Sequence, residues 1–241
     1  MTHPSMTIVF DNYPGLQGLE SLWGFAALLR LPGQTILFDT GSNGRVLLRN
    51  MAALGLKPGS VDLIFLSHPH WDHMGGLDSV LELAPGARVV VHEGFSKHLI
   101  HDLRGQCGGL TVVGSEPMEL APGIWSTGLL DSDPPEHAMV IDTGDVTAAV
   151  TGCAHPGIAP IVEHARGAIG TRIHWAIGGF HLMYAGPAEI RATIETLQHL
   201  GVERVVPTHC TGDQARAAFR EAYGLGCVDG GVGIEFTITP P

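Results

Sequence analysis

The feature that most constrains this chain is residues 68–73, HPHWDH, which place three imidazoles and one carboxylate within six positions. The apolar run Leu63-Ile64-Phe65-Leu66 comes directly before them and predicts a buried strand. Pro69 cannot continue a helix, so residues 68–73 are predicted to form a loop at the end of that strand. A polar surface loop would explain the composition but not the concentration of metal-binding side chains.

The spacing within this segment indicates how the side chains could share metal ions. In an extended stretch, His68 and His70 point the same way and can bind one ion, with nitrogen–metal distances of roughly 2.0–2.1 Å. Asp72 and His73 follow a bend and can turn toward a second ion. We therefore predict one or two divalent transition-metal ions, most simply zinc, with manganese and iron as alternatives.

The bulk composition favours a globular protein that acts on a small molecule. The chain has 241 residues, of which 44% are hydrophobic and 15% charged, so a sizeable core is expected. The net charge is −11, and no run rich in lysine or arginine is present. The average surface would repel a nucleic-acid backbone or an anionic membrane, so we expect neither as a partner.

The remaining sequence signals predict a cytoplasmic protein. The four cysteines are widely scattered and form no CxxC pair, which favours reduced thiols over a disulfide framework. We expect no secretory signal, because the first residues lack a basic start followed by a long apolar run. No segment approaches the roughly 20 apolar residues that span a bilayer. A homo-oligomer is compatible with these features.

The hydrophobic pattern predicts an α/β protein whose chain contains two halves, each with strands followed by helices. Without a linker between the halves, we predict a single domain over residues 1–241. Two sheets packed together with helices outside would form a four-layer αββα sandwich. The predicted helices cover residues 45–54, 75–84, 92–104, 158–169, 187–200 and 213–223. The predicted strands cover residues 7–10, 24–31, 34–38, 61–66, 88–91, 110–113, 118–120, 124–128, 138–143, 146–151, 172–177, 204–206 and 233–239.

Residues 68–73 resemble the HxHxDH signature of the metallo-β-lactamase superfamily. Residues 38–41, FDTG, resemble the family's strand-end DTG, whose aspartate supports the metal ligands, and this implies that role for Asp39. The distance from residues 37–41 through a helix to residues 63–76 also matches the family. The resemblance covers nearly the whole chain and implies the αββα sandwich with a metal centre.

Three further segments resemble one branch of this superfamily. That branch is labelled 7,8-dihydropterin-6-methyl-4-(ribofuranosyl)aminobenzene-phosphate synthase-like. The segments are residues 152–158 (GCAHPGI), 178–182 (GGFHL) and 209–212 (HCTG). Asp11-Asn12 near the start adds to this likeness, whereas Leu22-Trp23-Gly24 stands where the branch has Glu-His-Gly.

The resemblance and the strand-end positions complete the predicted metal site. His155 follows a predicted strand and is expected to join His68 and His70 on the first ion; otherwise it caps a helix or is buried. His209 matches the superfamily's last histidine and is expected to join Asp72 and His73 on the second. His181 could be a ligand, a substrate contact or a proton donor.

Two departures from the superfamily pattern leave alternatives open. Cys153 stands where many members have a bridging aspartate, and it could offer a thiolate or be a small buried residue. His137 is the nearest match to another missing histidine and is a weaker candidate ligand. These departures leave open whether two ions would be bridged and whether a second ion binds.

The predicted activity is metal-assisted hydrolysis of an ester, lactone or phosphodiester in a small molecule. Asp72 would hold both the second ion and the attacking water, and His181 would steady the oxyanion or the leaving group. One alternative is a pterin-related synthase or transferase. Another is a non-catalytic, metal-stabilised binding or regulatory protein.

Overall fold

The computed structural model describes residues 3–240. The chain divides into two compact units. The first runs to Gly114 and includes Gly231–Thr237, and the second runs from Ser115 to Gly230 and includes the residues from Ile238 onward.

The first unit contains one sheet and four α-helices among its described residues. Its strands, numbered along the chain, are β1 (Ser5–Asp11), β2 (Phe25–Leu31), β3 (Gln34–Phe38), β4 (Leu63–Phe65), β5 (Arg88–His92), β6 (Gly109–Val113) and, near the C-terminus, β13 (Glu235–Thr237). Its helices are α1 (Gly44–Ala53), α2 (Trp71–Met74), α3 (Leu77–Leu83) and α4 (Lys97–Leu103).

The strand order of this sheet is β13-β1-β2-β3-β4-β5-β6. Strands β3 to β6 are parallel neighbours, and Phe38 at the end of β3 pairs with Phe65 at the end of β4. The loops that follow β3 and β4 therefore leave the sheet side by side at one edge. Those loops carry Asp39 and residues 68–73.

Helix α1 shows how the sequence fixes an element beside this edge. The side chain of Asn43 accepts hydrogen bonds from the backbone N–H groups of Arg45 and Val46, at 3.0 and 3.1 Å, and so caps the helix. Leu47 and Met51 lie four residues apart and are fully buried in the core.

The second unit contains the other sheet and three α-helices within the part of the chain described. Its strands are β7 (Met118–Ala121), β8 (Ile124–Ser126), β9 (Met139–Asp142), β10 (Thr147–Thr151), β11 (Trp175–Gly179) and β12 (Arg204–Thr208). Its helices are α5 (Ile158–Ile169), α6 (Pro187–His199) and α7 (Asp213–Tyr223).

The second sheet has the order β12-β11-β10-β9-β8-β7, and only β10, β11 and β12 run parallel to one another. The carboxyl ends of these three strands share one edge, and His155, His181 and His209 all follow them in sequence. Helices α5, α6 and α7 bury Ile161, Leu197 and Phe219 in a core cluster of this unit. The predicted α/β class with two sheets is confirmed.

Two further sequence predictions can be compared with the described residues. All four cysteines are free thiols in the structure. Across residues 3–240, no helix combines the length and the apolar character that crossing a membrane requires.

Candidate metal centre

The HxHxDH segment begins where β4 ends and then turns into a short helix. His70 is still extended, with φ −77° and ψ 141°, and caps helix α2, which carries Asp72 and His73. His68 and His73 are fully buried, and Asp72 is nearly so. The prediction of a loop throughout residues 68–73 is therefore wrong for the second half of the segment. Pro69 excludes helix only at and before its own position, so a helix can begin two residues later at Trp71.

The rings of His68 and His70 converge as two ligands of one ion would. The hydroxyl of Ser67 lies 2.9 Å from Nδ1 of His68, which leaves Nε2 of that ring to face His70. The distance from this Nε2 to Nδ1 of His70 is 3.2 Å. Two nitrogens bound tetrahedrally at about 2.0–2.1 Å lie about 3.3–3.4 Å apart. The pair therefore fits a metal ion with little movement.

Asp39 orients the third imidazole of the segment. Its carboxylate is fully buried and accepts hydrogen bonds from the N–H and the hydroxyl of Ser67, at 2.8 and 2.7 Å. Oδ2 of Asp39 also lies 2.7 Å from Nδ1 of His73. Burial raises the pKa of Asp39 above its ordinary value, while His73 and Ser67 oppose that rise. This contact confirms the supporting position inferred for Asp39.

With Nδ1 held by Asp39, His73 presents Nε2 toward Asp72. The distance from this Nε2 to Oδ2 of Asp72 is 3.6 Å. A nitrogen and a carboxylate oxygen at that separation could bind one ion between them, since each needs a bond of about 2.0–2.2 Å. The donor set of the first unit therefore fits a transition metal.

In the second unit, the loops after β10, β11 and β12 bring the other predicted residues to one edge. The rings of His155 and His181 have centroids 4.5 Å apart. Potential ligand atoms of Cys153, His155 and His181 all lie within 4.8 Å of one another. The same limit holds for Cys153, His209 and Cys210. Cys153 therefore belongs to both sets of potential ligands. Each of the three histidines lies close to at least one cysteine thiol.

Glycine allows these loops to approach closely. A Cβ atom on Gly179, at the end of β11, would lie 2.5 Å from the carbonyl oxygen of Gly152 and 2.6 Å from Sγ of Cys210. No larger residue fits there without displacing both loops. A Cβ atom on the preceding Gly178 would likewise lie 2.0 Å from the carbonyl oxygen of Thr151, so both glycines before His181 permit close backbone approach.

Cys210 is a site residue to which the sequence analysis gave no role. Burial opposes ionisation of its thiol, but hydrogen bonds from Cys153 and His181 outweigh burial and lower its pKa to about 6. The hydrogen bond with Cys210 raises the pKa of His181, and burial of the imidazole works against that rise. Each partner of this pair therefore favours the charged form of the other.

Glu136 is the second residue that the sequence analysis missed. Its fully buried carboxylate accepts hydrogen bonds from four consecutive backbone N–H groups, those of residues 152 to 155. The neighbouring His137, a weaker candidate ligand, lies in none of the potential metal-binding groups found among residues 3–240. Its Nδ1 lies 2.9 Å from the hydroxyl of Ser126.

Left-handed backbone is concentrated at these strand ends. Within residues 3–240, positive φ angles outside glycine occur at Asp39 (54°), Ala154 (58°), His181 (53°) and His209 (50°). Such conformations are uncommon for non-glycine residues, cluster at functional sites and persist where the surrounding structure enforces them.

Comparison with known proteins places this geometry in a family context. The sequence profile of the metallo-β-lactamase superfamily matches residues 24–209. A similar curated protein is the 7,8-dihydropterin-6-methyl-4-(β-D-ribofuranosyl)-aminobenzene-5′-phosphate synthase of Methanocaldococcus jannaschii. It is 30% identical over 233 residues, covering 78% of this chain and 79% of the relative.

Solved structures agree with this result. The crystal structure of a metal-dependent hydrolase of the β-lactamase superfamily superposes with a TM-score of 0.80 at 26% identity, covering 98% of this chain and all of that one. The short form of human tRNase Z gives a TM-score of 0.66 at 15% identity, covering 97% of this chain and 99% of that one, and indicates the fold alone. The predicted sandwich fold is confirmed.

Proposed function

We propose, from the premise that this chain belongs to the metallo-β-lactamase superfamily, that it is a metal-dependent hydrolase of a small-molecule ester, lactone or phosphodiester. The observation that carries the proposal is the convergence of His68 and His70 at 3.2 Å beside a His73 ring fixed by Asp39. His68 and His73 are fully buried, so they are not polar residues of a surface loop. An imidazole oriented by a buried carboxylate is the arrangement typical of a metal ligand.

The proposed ligands follow the superfamily pattern. His68, His70 and His155 would hold the first ion, and Asp72, His73 and His209 the second. When bound, such an ion lowers the pKa of a water molecule and polarises a carbonyl or phosphoryl oxygen of the substrate. Zinc is the simplest choice for these nitrogen and oxygen donors, with manganese and iron as alternatives.

Two side chains are assigned roles beyond ligation. Asp72 is buried and would orient the attacking water through its carboxylate. His181 lies two residues after the end of β11, and the centroid of its ring is 4.5 Å from that of His155. We assign it the stabilisation of the oxyanion or the protonation of the leaving group. The net charge of −11 supports a small substrate rather than a nucleic acid.

A hydrolysis screen tests this proposal. The protein, loaded separately with zinc, manganese or iron(II), would be assayed on aryl esters, lactones and an aryl phosphodiester. Asp72→Asn should lower turnover by more than the roughly 10–100-fold loss typical of residues one step removed from a metal. His98→Gln, which changes an exposed histidine on α4, should leave turnover unchanged. Turnover that survives Asp72→Asn would contradict metal-assisted hydrolysis.

A pterin-related synthase or transferase is the second candidate, favoured by the 30% identical synthase. Incubating the metal-loaded protein with a dihydropterin donor and an arylamine acceptor would separate the two. A new carbon–nitrogen bond without hydrolysis of model esters would favour the synthase. Metal binding with neither activity would instead favour a binding or regulatory protein.

A further inference from the structure

We infer that Glu136 is a positioning residue, which fixes the backbone of residues 152–155 so that His155 is presented in a geometry suited to metal binding. The inference rests on the proposed role of His155 as a ligand. It adds a residue that contacts neither the proposed metal nor the substrate. The juxtaposition that carries it is one buried carboxylate against four successive backbone N–H groups of the loop after β10.

The contacts are short and converge on one group. Oε1 of Glu136 accepts hydrogen bonds from the N–H groups of Gly152, Cys153 and Ala154, at 3.0, 3.0 and 3.1 Å. Oε2 accepts the N–H of His155 at 2.9 Å. Hydrogen bonds to an ionised acceptor are stronger than those between neutral groups. Successive N–H groups that point at one anion form a concave nest, here filled by a side chain of the same chain.

The loop needs such an anchor to keep its conformation. Ala154 has a φ of 58°, which a residue with a Cβ atom rarely adopts without enforcement by its surroundings. Gly152, Cys153 and Ala154 are buried, so their N–H groups require a partner from within the protein. Without the carboxylate, the loop would relax to a conformation in which these donors reach other acceptors. His155, the last of the four, would move with it.

The carboxylate is itself held in place. Leu130 and Glu136 form an antiparallel bridge, with hydrogen bonds of 2.9 Å from the N–H of Leu130 and 3.3 Å from that of Glu136. Two residues after Glu136, the N–H of Ala138 donates to the hydroxyl of Thr127 at 3.0 Å. The connection between β8 and β9 thereby fixes Glu136 from its own side.

The substitution Glu136→Gln tests the anchor with little change of volume. Glutamine retains one acceptor oxygen but replaces the other by an NH₂ group, which would face at least one N–H donor of the loop. Asp131→Asn is the matched control, because it removes an exposed carboxylate from the same connection. Thermal unfolding of both variants would check that the protein remains folded.

Two readouts are measured. Hydrogen exchange of amides 152–155 in chelator-treated protein reports the loop directly; we expect at least about tenfold faster exchange in Glu136→Gln and no change in Asp131→Asn. Competition with a chromophoric zinc chelator reports metal affinity; we expect a loss of about 10–100-fold. The double variant Glu136→Gln/His155→Ala should bind zinc as His155→Ala does, because Glu136 acts through His155.

Each result decides the inference. Faster exchange, weaker zinc binding and non-additivity with His155→Ala support it. Unchanged exchange in a folded Glu136→Gln protein overturns it whether or not zinc binds, and so does a loss of affinity that adds in full to that of His155→Ala. If the unaltered protein binds no metal, the proposed function fails instead. If Glu136→Gln does not fold, Glu136→Asp, which shortens the side chain by one carbon, is carried through the same comparison.

Discussion

At the residue scale, Asp39 shows how a side chain outside the proposed ligand set can orient a proposed ligand, His73. It holds Nδ1 of His73 at 2.7 Å and receives two hydrogen bonds from Ser67. These contacts fix both the orientation of the imidazole and the nitrogen that carries its proton. The remaining nitrogen of His73 is thereby directed toward Asp72.

Replacing Asp39 by asparagine should weaken metal binding without removing a ligand. The amide is uncharged and can donate as well as accept, so it would no longer select the tautomer of His73 that leaves Nε2 open. We expect zinc affinity to fall about 10–100-fold, measured by chelator competition. Asp62→Asn, at an exposed carboxylate that accepts the N–H of Thr35 at 2.8 Å, is the control and should bind zinc normally. Equal affinities in the two variants would contradict this role.

His174 predicts a pH dependence of stability away from the proposed metal ligands. Burial, followed by the positive charge of Arg172, lowers its pKa below the ordinary value of 6.5. A hydrogen bond agrees with this direction, because Nδ1 accepts the N–H of Thr147 at 3.1 Å and must be unprotonated to do so. The folded state therefore prefers the neutral ring.

The sign of the effect follows from that preference. A histidine with a lowered folded pKa contributes stability above pH 6.5 and loses it as the pH falls through the folded pKa. This loss would be measured by urea unfolding of chelator-treated protein between pH 7.5 and pH 5, in steps of about half a pH unit. In His174→Asn the amide oxygen can replace Nδ1 as acceptor, so the acid-induced loss should shrink. A loss as large as that of the unaltered protein would show that other groups cause it.

At the element scale, the site is a consequence of parallel strands. Polar residues after β3 and β4 share one sheet edge, and those after β10, β11 and β12 share an edge of the other sheet. The ends of the strands are rigid, and the sequences of the loops that follow them can vary. Side chains that follow a strand end closely are therefore held in place, as the donors of a metal site must be.

Gly179 tests the close approach of loops at the end of β11. In Gly179→Ala, the new methyl group would meet Gly152 and Cys210 at distances below 3 Å. We expect a loss of about 1–3 kcal/mol in the free energy of unfolding, measured by urea titration. Gly167→Ala is the control, because Gly167 lies on the exposed face of helix α5 and a Cβ there meets nothing within 4 Å. It should gain about 0.5–1 kcal/mol from helix propensity. Equal stabilities would refute the steric argument.

Elements with a clear periodic pattern and marked ends were predictable from the sequence. The helices at 158–169 and 213–223 and the strand at 34–38 match the structure. The strand predicted at 172–177 is displaced, since β11 continues through two glycines to pair with β12. The helix predicted at 92–104 is shorter, because β5 extends to His92 and Ser96 caps α4 only afterwards.

The site was predictable only where its residues were adjacent in sequence or followed predicted strands. The spacing of residues 68–73 predicts metal ligands, whereas no local pattern indicates a role for Glu136. Its function depends on a loop 16 to 19 residues later turning four N–H groups toward it. Cys210 likewise acquires its lowered pKa from His181 and Cys153, which reach it only in the folded unit. Local patterns do not encode such tertiary contacts.

At the scale of the whole molecule, membership of the metallo-β-lactamase superfamily and the nitrogen and oxygen donors both support the proposed metal-dependent hydrolysis. Each of the two compact units has its own buried core cluster and its own sheet with histidines at one edge. A single domain over the whole chain, a cytoplasmic location and a homo-oligomer stay predictions. The acidic net charge of −11 keeps a small substrate as the proposed partner.

The most direct test of the central claim is the metal content per chain, measured by elemental analysis of protein purified without chelator. We predict one or two equivalents of zinc, manganese or iron in the unaltered protein. The double variant His68→Ala/His70→Ala should lose at least one of them, while Asp62→Asn should lose none. No bound metal after reconstitution with all three ions, or an unchanged content in the histidine variant, would contradict the account.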